Sequence, residues 1–259
     1  MPSIGIFGGS GFYELLDDAT EHRVDTPYGE PSDPVVTGSW QGREVAFLPR
    51  HGADHRFPPH RVNYRANVWA MRELGVTRLL APCAVGSLKA ELGPGAMIVL
   101  DQFVDRTTGR PDTFHDGPPV THTSMAEPYC GTLRALVTEE LTALDRPHQP
   151  TGTIVVIQGP RFSTRAESRW FSAQGWDVVG MTQYPEVPLA REAGMCVAGI
   201  ALVTDHDAGL DGHPDVAPVS HQQVLEVFAA NVEHLKELLG RVVARIPDER
   251  DCGCGSSTG

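Results

Sequence analysis

The sequence predicts an α/β fold, a single domain in which a twisted central β-sheet is flanked by helices on both faces. Three observations support this. Strand-like and helix-like segments alternate along the chain, the order that yields a sheet with helical crossovers. Several strand-like runs are apolar throughout, leaving no wet face, which suits strands covered on both sides. No stretch is rich enough in Pro, Gly or Ser to part the 259 residues into two domains, and there is no internal repeat.

Taken in order, apolar β-branched runs predict strands at residues 3–7, 35–40, 44–48, 78–84, 97–104, 153–157, 177–181 and 196–204. Between them Val62, Ala66, Trp69 and Ala70 recur at i, i+4, i+7 and i+8, one face of a helix beginning near Arg61. Leu133, Leu136, Val137, Leu141 and Leu144 repeat that pattern. The longest helix, about 220–246, places Val224, Phe228, Val232, Leu235, Leu238, Leu239, Val242 and Val243 on one side. Residues 105–124 lack periodicity and hold several Pro, Gly and Thr. Loops of this length in compact domains are functional or disordered, so a lid or subunit contact is expected there. The domain accordingly spans 1–247, and 248–259, DERDCGCGSSTG, is expected to be a flexible tail.

With 41% hydrophobic and 21% charged residues, the composition is that of a soluble globular protein. A formal charge of −12 excludes nucleic acid and anionic membrane as partners, because both require a basic surface. The longest apolar runs fall short of the ~20 residues that span a bilayer. The opening MPSIGIF enters a strand with no basic region and cleavage site, so no signal peptide and a cytoplasmic location are expected. Cys83 and Cys196 lie in apolar runs and Cys130 opens a helix, as reduced thiols would. Cys252 and Cys254 form a lone C-x-C. That is too few ligands for zinc, so an exposed thiol pair or a strained disulfide is expected and no metal site.

Six motifs carry chemistry, and most of them follow a strand. In GIFGGSGF the turn at Gly8, Gly9, Ser10 and Gly11 can bring N–H groups and a hydroxyl to an anion, or simply turn the chain. It lacks the G-x-G-x-x-G spacing of dinucleotide sites. In LPRHGADHRFPPHRVNYRAN, Arg50 offers a fork of donors for phosphate oxygens. His51, His55 and His60 are separated by prolines that break any metal-ligand spacing. CAVGSL, residues 83–88, ends a strand in small residues whose backbone a ligand can approach, and in open α/β sheets ligands gather at such carboxyl ends. QGPRFSTRAES offers Phe162 as an aromatic face for a flat ring, or as core, and GMTQYPE again follows a strand. In VTDHDAG, Asp205 and Asp207 can share acid and acceptor work, or cap a turn.

Together and in this order, the motifs resemble those of the methylthioadenosine phosphorylases, within the trimeric branch of the purine nucleoside phosphorylases. GIFGGSG, VDTPYGEPSD, RHG, VNYRANVWA, DQFVDRTTGRP, MAEPYC, GPRFSTRAES, MTQYPEV and VTDHD all look like family segments, and the likeness runs from Ile4 to about Ile246. It implies a purine nucleoside phosphorylase-like fold with a mixed sheet. It also implies cleavage of the glycosidic bond of 5′-methylthioadenosine by phosphate, which is a co-substrate, with no cofactor. By this resemblance Ser10, Arg50, His51, Thr182 and the Ala84 backbone hold phosphate, with Cys83 beside them. Met181 contacts the ribose through its backbone, Phe162 and Ser163 line the base site, and Asp205 and Asp207 face the purine N7 and 6-substituent, Asp205 as general acid. His122 is expected to reach a neighbouring subunit's pocket in a homotrimer.

Several features leave the substrate's 5′ group open. Many members have Asn where this chain has Gly180, the segment that covers the 5′ pocket in longer animal enzymes is not present, and the C-x-C resembles archaeal members. His221, with Val224 one turn on, stands where methylthio-specific members carry a small apolar residue and where 6-oxopurine enzymes of this fold carry His against the ribose 5′-hydroxyl. A solvated His221 in the helix's first turn is the other reading. A phosphorylase of 6-oxopurine nucleosides is therefore the alternative activity. A hydrolase would have no use for an anion site, and a non-catalytic scaffold none for paired carboxylates beside it.

Overall fold

The computed structural model describes Met1 and residues 3–8, 16–208 and 219–256. Among these, eleven strands form one mixed sheet: β1 (Ile4–Gly8), β2 (Asp17–His22), β3 (Val35–Trp40), β4 (Arg43–Pro49), β5 (Arg78–Ser87), β6 (Met97–Val99), β7 (Gln102–Arg106), β8 (His148–Gln149), β9 (Thr153–Ile157), β10 (Val178–Gly180) and β11 (Cys196–Asp205). Five helices cover it: α1 (Tyr64–Glu73), α2 (Gly131–Ala143), α3 (Arg165–Ala173), α4 (Gln183–Glu192) and α5 (His221–Arg245).

The sheet runs β2-β3-β4-β1-β5-β10-β9-β7 and forks at β5, which also pairs in parallel with β11; β6 and β8 continue that branch. The all-apolar runs are the central strands. Along β11, Val197, Ala201 and Val203 pack into one core while Cys196, Ala198, Ile200 and Leu202 pack into the other. A period of two with both faces buried explains why the sequence shows no alternation there. The first core also takes Val68 and Met71 of α1 and Val187 and Leu189 of α4. The second takes Leu133 and Leu141 of α2 and Leu238, Leu239, Val242 and Val243 of α5. Phe171 of α3 packs on Val155 and Val179 in a smaller third cluster.

Three expectations need correction. Residues 97–104 are not one strand but two, β6 and β7, and they pair with different branches of the sheet. The helix expected from Arg61 begins at Tyr64, because the Asn63 side chain accepts from the Ala66 N–H as its N-cap. The thiol pair expected to lie exposed in the tail does not: Cys254 is buried and Cys252 half-buried, close to Cys130 and Cys196. This segment is held by Arg250, which donates to Gly194 O at 2.7 Å, and by Asp251, which accepts from Thr132 Oγ1 at 3.1 Å. Residues 107–130 carry no helix or full strand, in keeping with a long loop.

Candidate active site

The ends of β1, β4, β5, β9, β10 and β11 surround a cavity of about 800 Å³, closed on one side by the amino-terminal half of α5. At its floor Arg50, which follows β4, is buried and tied to the sheet. Its Nε and Nη2 donate to Glu186 at 2.5 and 2.8 Å, and its Nη1 donates to Pro82 O at 3.0 Å. Three of its N–H groups are thus spent on position, and the others can bind an anion. Burial opposes the charge on Arg50, but the carboxylate of Glu186 outweighs it, and its pKa is raised.

His51 lines the same cavity and differs in kind. Its Nδ1 lies 2.8 Å from Phe57 O, a carbonyl that can only accept, so Nδ1 carries the proton and Nε2 is an acceptor. Burial, with Arg50 next to it, lowers its pKa to about 4. A neutral His51 can therefore accept from a P–OH or a sugar hydroxyl but adds no positive charge.

Thr182 precedes α4, and its hydroxyl makes no capping bond although the residue sits at the cap position. Helix geometry is broken at Tyr184 (φ −117°, ψ 132°), and the regular turns start at Pro185. Pro188 has no N–H to give Tyr184 O, which accepts from Arg110 instead. Arg110 also donates to Met181 O at 2.9 Å and Gln158 O at 2.8 Å, strapping the loop that follows β7 to the segments after β9 and β10; the loop expected from residue 105 begins after Arg106. Cys83 is a thiol: burial pushes it up to about 12. Gln183, anchored by Ala81 O at 3.0 Å and by the Tyr129 hydroxyl at 3.1 Å, reaches its sulfur at 3.5 Å. Ala84 is exposed to the cavity.

Across the cavity stand two buried carboxyls. Asp205 closes β11 after an irregularity that sets it opposite Gly86 of β5. Its pKa is raised to about 6, first by burial and then by Asp207, against a hydrogen bond from Thr204 Oγ1 at 2.8 Å. Burial likewise raises Asp207, with Ser168 and Ser163 opposing. Even so, Ser163 Oγ and Asp207 Oδ2 are buried with no hydrogen-bond partner among the described residues. Those two atoms are suited to a polar planar ligand, since buried polar atoms otherwise find partners. Gly86 makes the approach possible: a Cβ there would lie 2.9 Å from Asp205 Oδ1 and 3.0 Å from Asp207 Cα. A side chain at Gly180 would likewise meet Ile154 Cδ1 at 2.8 Å, so an Asn does not fit this backbone unshifted.

Of the expected site residues, Arg50, His51, Cys83, Ala84, Thr182, Phe162, Met181, Asp205, Asp207, His221 and Val224 line one cavity. Ser163 lies beside Asp207. Ser10 lies outside the described residues. His122 is exposed and does not line the cavity of its own chain. His221 both lines the cavity and meets solvent, near enough to His55 to lower that residue's pKa, though burial contributes more. Sequence reasoning missed Glu186, Gln183 and Arg110. The signal for Glu186 was its place in the MTQYPE motif, because a buried Arg requires a carboxylate.

A family model described as the phosphorylase superfamily matches residues 3–244. A purine nucleoside phosphorylase of Streptomyces coelicolor is 54% identical, covering 99% of this chain and 94% of its own. An S-methyl-5′-thioadenosine phosphorylase of Pyrococcus horikoshii is 52% identical over 98% of this chain and 96% of its own. Among solved structures, methylthioadenosine phosphorylase from Schistosoma mansoni in complex with adenine superposes with a TM-score of 0.91 at 40% identity, covering 99% and 96% of the two chains. The cavity at the strand ends, its buried arginine and its paired aspartates thus sit in a chain that belongs to the phosphorylase superfamily.

Proposed function

We propose that the protein cleaves the N-glycosidic bond of 5′-methylthioadenosine with inorganic phosphate, giving adenine and 5-methylthioribose 1-phosphate. The observation that carries this reading is one cavity with a buried arginine and the Thr182 hydroxyl on one side and a carboxyl raised to about 6 on the other. As the bond breaks, its electron pair flows into the purine and the ribose gains oxocarbenium character. A protonated Asp205 donates to N7 and stabilises the departing base. Phosphate held by Arg50 stands close to C1′ as nucleophile and counter-charge, so proximity and electrostatics supply most of the acceleration. The orphaned Asp207 oxygen can accept from a 6-amino group. Adenine release from methylthioadenosine, followed with and without phosphate, tests this directly. Release is expected only with phosphate; equal release in its absence identifies a hydrolase.

His221 favours a second specificity beside the first. An imidazole in the cavity can bond a ribose 5′-hydroxyl, which a methylthio group cannot match, and such a hydrogen bond is worth about 0.5–1.5 kcal/mol net. Adenosine is therefore expected as a good substrate next to methylthioadenosine. His221→Val should shift the ratio of their kcat/KM values toward methylthioadenosine by roughly tenfold. A ratio that stays within about twofold removes His221 from 5′ recognition.

A further inference from the structure

Four of the five cysteines meet away from the cavity. The Sγ atoms of Cys130, Cys196, Cys252 and Cys254 all lie within 4.8 Å of one another, and Cys196 and Cys252 are 3.3 Å apart. They come from three separate parts of the chain: the cap of α2, the first residue of β11 and the segment after α5. Cys130, Cys196 and Cys254 are buried in the apolar core that α2 and α5 share, which shields them from bulk solvent. The sulfurs of a tetrahedral site with Zn–S about 2.3 Å stand about 3.8 Å apart, a spacing that lies between the 3.3 Å of Cys196–Cys252 and the 4.8 Å within which all four sulfurs meet. Disulfides would instead draw one or two of these pairs to about 2 Å, well inside the 3.3 Å that separates Cys196 from Cys252.

The surroundings suit thiolates. Cys130 sits at the amino end of α2, where the helix presents positive potential. The buried Arg191 acts electrostatically on Cys254, and Arg250 packs so closely that a Cβ on Gly255 would be 2.9 Å from its Nη2. The Arg191 guanidinium offsets part of the double negative charge that a divalent ion with four thiolates carries. Thiolates in tetrahedral array select zinc. A count confined to the C-x-C pair misses this, because Cys130 and Cys196 join it only in the folded chain.

We propose that Cys130, Cys196, Cys252 and Cys254 form a tetrathiolate zinc site that clasps the C-terminal segment to the domain core. Binding releases four thiol protons and involves no change of oxidation state. Closed four-ligand sites are structural rather than catalytic, so phosphorolysis does not run through the ion.

The test uses the full chain, produced in zinc-supplemented medium and purified with a phosphine reductant and no chelator. Metal analysis is expected to find about one zinc per chain. In Cys252→Ser/Cys254→Ser that content should fall about tenfold or more, with turnover at moderate temperature retained. Should the double variant fail to fold, cobalt added to metal-free parent protein decides: intense thiolate-to-cobalt and tetrahedral bands are expected. Three results would overturn the site. One is a zinc-free chain lighter by the hydrogens of disulfide formation; another is a zinc-free chain with its thiols titratable and no cobalt bands; the third is a folded variant with the parent's zinc content.

Discussion

Replacing Asp205 by Ala should lower kcat by about 10²- to 10⁴-fold while leaving the fold intact, the range expected when a general acid is removed. The side chain is buried and bonded to Thr204, and beyond that its surroundings disfavour its charge: burial and Asp207 together hold its pKa near 6. That value sets the sign of the pH response. The acid form dominates below about 6 and declines tenfold per pH unit above it. At saturating phosphate, kcat should therefore fall as pH rises past that point. Asp205→Asn, whose amide donates at every pH, should lose this limb. The same substitution bears on base choice, because Asp205 stands beside Asp207 and so borders the 6-position as well as N7: above about pH 6 its carboxylate repels a 6-oxo group, whereas an amide N–H can donate to it. Relative activity is expected to move toward inosine in Asp205→Asn. An unchanged pH profile and an unchanged base preference would together place the acid elsewhere.

Much of this architecture was legible because its physics is local. A run such as residues 196–203 has no polar side chain, and with its β-branched residues it suits a strand covered on both faces. The motifs were legible for a related reason: they follow those strands, and the carboxyl ends of strands are where ligands bind. What escaped depends on partners distant in sequence. β2 reads DDATEH, polar and exposed, and becomes a strand only by pairing with β3 at the edge of the sheet. α4 contains Pro185 and Pro188 and reads as a breaker, yet Arg110 supplies the donor that Pro188 lacks. α3 does carry a start signal, the capping box of Thr164 and Glu167, but it lies within QGPRFSTRAES, whose residues also line the cavity and so mask the helix start. Glu186 and the cysteine cluster belong with α4, since neither can be seen until the chain has brought its partner close.

Arg50→Ala is expected to weaken phosphate use by about 10- to 100-fold in kcat/KM, as befits the loss of charged hydrogen bonds worth about 1.5–3 kcal/mol. It should also destabilise the protein, for a separate reason. Arg50 and Glu186 are both buried and share two hydrogen bonds, so removing the arginine alone strands a carboxylate in the interior. Breaking such a pair from one side costs about 3–5 kcal/mol. A double substitution separates the two effects: Arg50→Met with Glu186→Leu replaces the ion pair by apolar side chains of similar volume. Such exchanges are often close to neutral for stability. The double variant should therefore recover most of the melting temperature lost in Arg50→Ala, yet keep its defect toward phosphate. Glu186→Gln is the complementary probe, because it leaves the guanidinium present but held by weaker hydrogen bonds. Its phosphate KM should rise less than that of Arg50→Ala. If the double variant regained phosphate use along with stability, Arg50 would be a structural residue alone and the anion site would lie elsewhere in the cavity.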